Sequence, residues 1–211
     1  KLYNFFVSDD PAPEEAIQIL AAEYVNSNYD IGSVMRALLN SKHFKESFYQ
    51  KVKSPAEVVA SVIRLVGDYQ APKPGLIDIA YESKYMGQEL LNPPTVEGWH
   101  TGKEWIDSGS LVGRVNFASD QLGDLNKEGV KDIVSRISSS VSYLTAEQLV
   151  DGCLDLVGPL VLEDKTRSTL VDKARITGNI DLSSSGNAGN IEDRVSEMLQ
   201  LIVATREFQF A

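Results

Sequence analysis

Cysteine is almost missing from this chain: the single Cys153 excludes an internal disulfide and any multi-cysteine zinc or iron–sulfur centre. Its apolar neighbours Leu149, Val150, Leu154 and Val157 point to a buried, unreactive thiol. Histidine is nearly as scarce, with two residues, His43 and His100, far apart and in no His-x-x-x-His pattern. No apolar run approaches the ~20 residues needed to cross a bilayer. Basic residues are outnumbered, 20 Lys and Arg against 30 Asp and Glu for a net charge of -10, which argues against a phosphate-backbone partner such as DNA or RNA. Phosphate-cradling glycine loops of the Gly-x-x-x-x-Gly-Lys or Gly-x-Gly-x-x-Gly type are absent as well, so nucleotide chemistry has no support.

What the chain does have is helical periodicity. Apolar residues recur at helix spacing at Ile17, Leu20, Ala21 and Tyr24, at Val58, Val62 and Leu65, and at Leu111, Val115, Ala118 and Leu122. The same period returns at Val130, Ile133, Val134 and Ile137, at Leu149, Cys153 and Val157, and at Ile191, Val195, Met198, Leu199 and Ile202. Strand alternation is nearly absent. The expected fold is therefore all-α, an irregular bundle of about eight or nine helices joined by long Pro- and Gly-containing loops.

Helix punctuation agrees. Ser54-Pro55-Ala56-Glu57 and Thr145-Ala146-Glu147-Gln148 each read as a capping box, in which the hydroxyl and the acid or amide satisfy orphan N–H groups reciprocally. Asp30 before Ile31, and Pro13 followed by Glu14 and Glu15, mark two further starts. Asn92-Pro93-Pro94 is a stop. Met35 to Phe44 and Met198 to Phe208 echo one another, each ending an apolar helix with Ser or Thr, a basic residue, one more residue and Phe. Two such copies do not make a solenoid, and each Phe is expected to fold back on its helix as a hydrophobic stop.

At 211 residues the chain fits a single all-helical domain, with a division into lobes at 1–123 and 124–211 as the alternative. Its opening, Lys1-Leu2-Tyr3-Asn4-Phe5-Phe6-Val7, reads as the end of an amphipathic element and not as a signal peptide, so the chain is expected to be the C-terminal part of a longer protein.

Ser54 to Val59, then Met86-Gly87-Gln88-Glu89-Leu90-Leu91-Asn92-Pro93-Pro94-Thr95-Val96-Glu97-Gly98-Trp99, continuing through Gly102, Trp105-Ile106 and Leu111 to Arg114, resemble the bacterial family catalogued as domain of unknown function 1800. The closing stretch Leu201 to Gln209 resembles that family's C-terminal end, so the resemblance covers most of the chain. It implies a longer parent and an exported or envelope-associated protein. It transfers no catalytic residue.

The segment Asn92 to Arg114 is the first candidate site. A stiff Pro93-Pro94 piece, Gly98 and Gly102 frame Trp99 and Trp105, whose ring faces could stack on a sugar or peptide. Glu97, His100, Glu104 and Asp107 supply polar partners, with Arg114 also a candidate ligand-binding residue; Glu97 and Glu104 are also a candidate acid–base pair. The plainer reading is a wedge in which the indoles pin an irregular loop, Gly87 allows close helix approach and Arg114 satisfies loop carbonyls. A second candidate is Asp181 to Glu192, where Asp181, Ser183, Ser185, Asn187 and Glu192 occupy calcium-loop spacing with Gly186 at the sixth place. A solvated linker is the alternative there, and otherwise no cofactor is expected. The functional expectation is a non-catalytic binding module for a glycan or an envelope protein; the rival is part of a hydrolase of surface polymers whose active site is completed outside this chain.

Overall fold

The computed structural model describes residues 1–140, 143–158, 160–181 and 188–210. Among them the fold is all-α. The helices are α1 (Leu2–Phe6), α2 (Glu14–Asn26), α3 (Ile31–Asn40), α4 (Lys42–Lys45), α5 (Pro55–Val66) and α6 (Leu76–Tyr85). A 3₁₀ turn at Gly102–Ile106 leads into α7 (Ser108–Gly123), followed by α8 (Glu128–Ser140), α9 (Ala146–Val157), α10 (Asp164–Ile176), α11 (Ala188–Val203) and α12 (Arg206–Gln209). Nine of the twelve are ten residues or longer, against the eight or nine expected, although α10 is a long helix whose period the sequence does not show; α1, α4 and α12 have five, four and four residues. A helix of one turn is too short to show a repeat, which is why these three lie beyond the sequence count. The only strands among the described residues form a minimal antiparallel ribbon, β1 (Tyr143–Leu144) against β2 (Ile180–Asp181), beside two isolated antiparallel bridges, Val52 with Phe210 and Thr95 with Gly98.

Both capping boxes form. Ser54 Oγ accepts the Glu57 N–H at 3.3 Å while Glu57 Oε2 accepts the Ser54 N–H at 2.6 Å, and Pro55 occupies the first turn where no N–H is needed. Thr145 and Gln148 repeat the exchange at the start of α9. Asp30 caps α3 by accepting the N–H groups of Gly32 and Ser33. These bonds hold the carboxylate of Asp30 ionised below its usual range.

α11 is the axis of the main body. It packs on α7, α8, α9, α10 and α12, and its stripe Ile191, Val195, Met198, Leu199 and Ile202 is buried throughout. Leu199 and Ile202 expose nothing, each worth about 2–3 kcal/mol of apolar transfer. One continuous core joins α5, α7, α8, α9, α10 and α11, and Cys153 lies in it. Burial pushes the Cys153 thiol up to about 12. A separate, smaller core of Tyr3, Val7, Ala16 and Leu38 holds α1–α3 together. No helix among the described residues is long and apolar enough to cross a membrane.

α5 and α8 meet backbone to backbone. A Cβ on Gly129 would fall 2.0 Å from the Leu65 carbonyl oxygen, so only glycine fits there. Beside this joint Asp68 pairs with both Lys73 and Lys127.

Candidate functional site

The loop between α6 and α7 is built from its ends inward. α6 closes with a Schellman arrangement, Gln88 N–H to Ser83 O at 2.7 Å and Gly87 N–H to Lys84 O at 2.9 Å. Gly87 takes φ +98° there, yet a Cβ on it would meet nothing within 4 Å. The sequence reading that Gly87 allows close helix approach is therefore corrected: the turn's left-handed backbone demands the glycine, not a neighbour. Gln88 is buried and its Oε1 accepts the Ala56 N–H at 2.8 Å, tying the loop to the first turn of α5.

Glu89 organises the next step. Its carboxylate takes Lys84 at 2.8 Å and Asn92 Nδ2 at 3.0 Å, which hold its pKa below the usual range. Its carbonyl accepts the Asn92 N–H at 3.1 Å and the Trp99 indole N–H at 3.1 Å. Trp99 is thus pinned edge-on to the loop and half-buried. Between these anchors Leu91 adopts φ +65°, a conformation that costs a non-glycine residue about 1 kcal/mol or more. Thr95 and Gly98 close a turn through Gly98 N–H to Thr95 O at 3.1 Å and Thr95 Oγ1 to Gly98 O at 2.9 Å. The tip so formed carries Leu91 and Val96 fully in solvent, at 97% and 107% relative exposure.

Beyond the tip, His100 Nδ1 and Glu104 Oε2 approach to 2.6 Å in an exposed pair, and Glu97 is exposed on the turn. Gly102 takes φ +66° and packs against Asp9, whose Cγ would lie 3.1 Å from an added Cβ. Asp9 also accepts the Val52 N–H at 2.7 Å and Lys51 Nζ at 3.2 Å, so the loop, the chain start and the 51–53 segment converge on one carboxylate.

Arg114 is wholly buried on α7. Its guanidinium donates to Trp105 O at 3.4 Å and to Lys53 O, so it does satisfy loop carbonyls. Among the described residues no carboxylate pairs with it directly; burial pulls its pKa down to about 10, opposed by the more distant Glu57. Trp105 is half-buried above it. Of the residues that sequence reasoning singled out here, Trp99 bonds back to Glu89 within the loop and Arg114 on α7 bonds the Trp105 carbonyl, while Glu97, His100 and Glu104 face water.

A family model described as "Protein of unknown function (DUF1800)" matches residues 1–210. The chain belongs to the DUF1800 family. No curated protein and no solved structure matches it. In this DUF1800 chain the loop also borders an apolar groove of about 400 Å³ between α5 and α6, walled by Val59, Ile63, Ile79 and Leu90. Sequence reasoning missed Asp9, Lys53, Gln88, Leu91 and Val96. Only Leu91 and Val96 left a signal, as apolar residues flanking Asn92-Pro93-Pro94 where a solvated loop would carry polar ones.

The second candidate is reached only in part. Ser183, Ser185 and Asn187 lie outside the described residues, as does the side chain of Asp181. Glu192, in α11, lines a polar cavity of about 480 Å³ with Asn126, Lys131, Ser135 and Ser138. Among the described residues no group of three or more His, Cys, Asp or Glu side chains is close enough to hold a metal ion.

Proposed function

We propose that this chain is a non-catalytic binding module that engages a partner protein through the loop 89–105, as part of an exported or envelope-associated bacterial protein. The observation that carries the reading is Leu91 and Val96. Two aliphatic side chains stand wholly in water on a backbone stiffened by Pro93-Pro94, pinned by the Trp99 indole and partly strained at Leu91. Burying both on a partner would gain about 3–5 kcal/mol of apolar transfer, with the ordering cost reduced by the bonds that already hold the loop. The exported or envelope setting rests on the family resemblance.

A photo-crosslinking residue at position 96, and a control at exposed Ile176 on α10, test this in the native host. A discrete adduct from position 96 that disappears with Leu91→Asp supports the reading; equal labelling from both positions, or none from either, overturns it. A glycan remains the second occupant because Trp99 and Trp105 are half-exposed, and a thermal-shift screen of oligosaccharides against Trp99→Ala decides that arm.

The rival is a hydrolase of surface polymers completed outside this chain. It draws on the 2.6 Å contact of His100 Nδ1 with Glu104 Oε2, a base-and-orienter geometry. Activity that requires the full-length protein and vanishes with His100→Ala would favour it. A calcium role for the loop 181–192 is likewise a proposal, tested by a calcium-dependent melting shift that Glu192→Gln abolishes. Treating the chain as one domain is part of the same reading, to be checked by a single unfolding transition.

A further inference from the structure

Asp9 stands far from the loop 89–105 along the chain, yet the base of that loop rests on it. Its own position is fixed several times over. The Asp9 N–H donates to Gln50 O at 3.0 Å, and the Asn4 side-chain amide donates to the carbonyls on either side, Ser8 O at 3.3 Å and Asp10 O at 2.8 Å. Lys51 Nζ bonds Asn4 O at 3.1 Å and Asp9 Oδ1 at 3.2 Å, while Asp9 Oδ2 accepts the Val52 N–H at 2.7 Å. Backbone and side chain are both tied to the 50–52 segment, so the carboxyl group is held in place independently of the loop.

Gly102, the first residue of the 3₁₀ turn, is buried against this group, so closely that an added Cβ would lie 3.1 Å from Asp9 Cγ. The other end of the turn is held by Arg114, which donates to Trp105 O and to Lys53 O. Both ends are therefore brought to one short segment: Asp9 links Gly102 to the Val52 N–H, and Arg114 links Trp105 to the Lys53 carbonyl. That segment is anchored in turn by the C-terminal end, through Lys53 N–H to Gln209 O at 3.0 Å and the bridge of Val52 with Phe210. The two clamps differ in origin. Arg114 is wholly buried on α7, whereas Asp9 belongs to the connection between α1 and α2. Asp9 is thus a route by which the α1–α4 lobe reaches the loop.

We infer that Asp9 is a positioning residue of the loop 89–105: it seats Gly102 against the 51–53 segment and so makes presentation of the tip depend on the α1–α4 lobe. The inference rests on reading the loop as the binding surface and adds a determinant from outside the loop. A loop clamped at both ends of its base leaves less to be ordered when a partner arrives.

The chain carries its own reporter. Trp99 and Trp105 are its two tryptophans, so intrinsic emission and acrylamide quenching of the whole chain report this loop alone, with no partner added. Asp9→Ala is expected to red-shift the emission and increase quenching as the turn leaves its seat. Asp9→Asn keeps an acceptor oxygen for the Val52 N–H and the same bulk beside Gly102, and should restore both readings to the wild-type values. Asp30→Ala, which removes the cap of α3 and weakens the lobe elsewhere, should leave both unchanged. Circular dichroism checks that each variant is folded. An unshifted Asp9→Ala, or an Asp9→Asn as shifted as Asp9→Ala, overturns the inference. An equal shift in Asp30→Ala overturns it too, because Asp9 would then act only through the stability of the lobe. In the native host the crosslinked adduct from position 96 should fall severalfold with Asp9→Ala and recover with Asp9→Asn. An adduct undiminished by Asp9→Ala overturns the inference and leaves the loop as a binding surface. Absence of any adduct from the wild-type chain overturns the loop as a binding surface instead, and the emission series still decides whether Asp9 seats the turn.

Discussion

Ser41 to Phe44 and Thr205 to Phe208 are the same device written twice. In each, the hydroxyl accepts the Phe N–H, at 3.2 and 3.4 Å, and donates to the carbonyl three residues back, at 2.7 Å in both. The cap residues share φ -70° and ψ 156°. Yet Phe44 is 37% exposed and Phe208 only 5%. The difference lies in what arrives from elsewhere. α12 rests on α11, Val52 bridges Phe210, and Lys53 Nζ sits 4.8 Å over the Phe208 ring while bonding its carbonyl. Around Phe44 there is α3. Local sequence writes the turn; burial requires a partner element.

The comparison can be broken most easily by truncating the rings. Phe208→Ala should cost about 3–5 kcal/mol in urea unfolding, and Phe44→Ala about 1 kcal/mol. Cys153 offers an independent readout of the main body, since a thiol pushed up to about 12 and fully buried reacts only when the core opens. Phe208→Ala should speed its labelling, whereas Phe44→Ala should leave the rate unchanged. Equal effects would mean that the lobe and the body are one cooperative unit.

Arg114→Ala comes next, at about 2–4 kcal/mol, because Trp105 O and Lys53 O would lose a buried donor. It should also shift tryptophan emission as the 3₁₀ turn loosens, which no change in the small core of the lobe should do. Ser41→Ala and Thr205→Ala are smaller and sharpen the likeness: each removes one cap, so each should cost about 1 kcal/mol in spite of the different surroundings. A large inequality would show that the device is not local.

The smallest effect is acid sensitivity. Asp30 in the lobe and Asp107 before α7 both cap helices and both have pKa values below the ordinary 3.8. Their contribution is complete above the unfolded value and is lost as pH falls through the lower folded one. Asp30→Asn should flatten the lobe's share of the acid transition followed by circular dichroism, and Asp107→Asn the body's.

Much of this architecture was readable in advance, and the unread parts have physical reasons. Long helices such as α7 and α11 repeat their apolar stripe over four turns, and Ser54, Thr145 and Asp30 announce their own bonds locally. α10 escaped because its buried set is only Leu170, Val171 and Ala174 in a polar helix. At the loop, Trp99 and Arg114 stand out by type. Asp9, Lys53 and Gln88 do not, since each acts on backbone groups tens of residues away and nothing in its neighbours says so.

The contact of Gly129 with Leu65 separates length from geometry. Because a single added carbon is already refused there, α5 and α8 keep a fixed spacing, with Asp68 and Lys127 clasped beside it. Residues inserted into the 88–106 loop would not have to cross that joint, and lengthening a loop between ends already in place costs only slowly growing closure entropy. The frame can therefore hold its dimensions while the exposed tip is lengthened, shortened or rewritten.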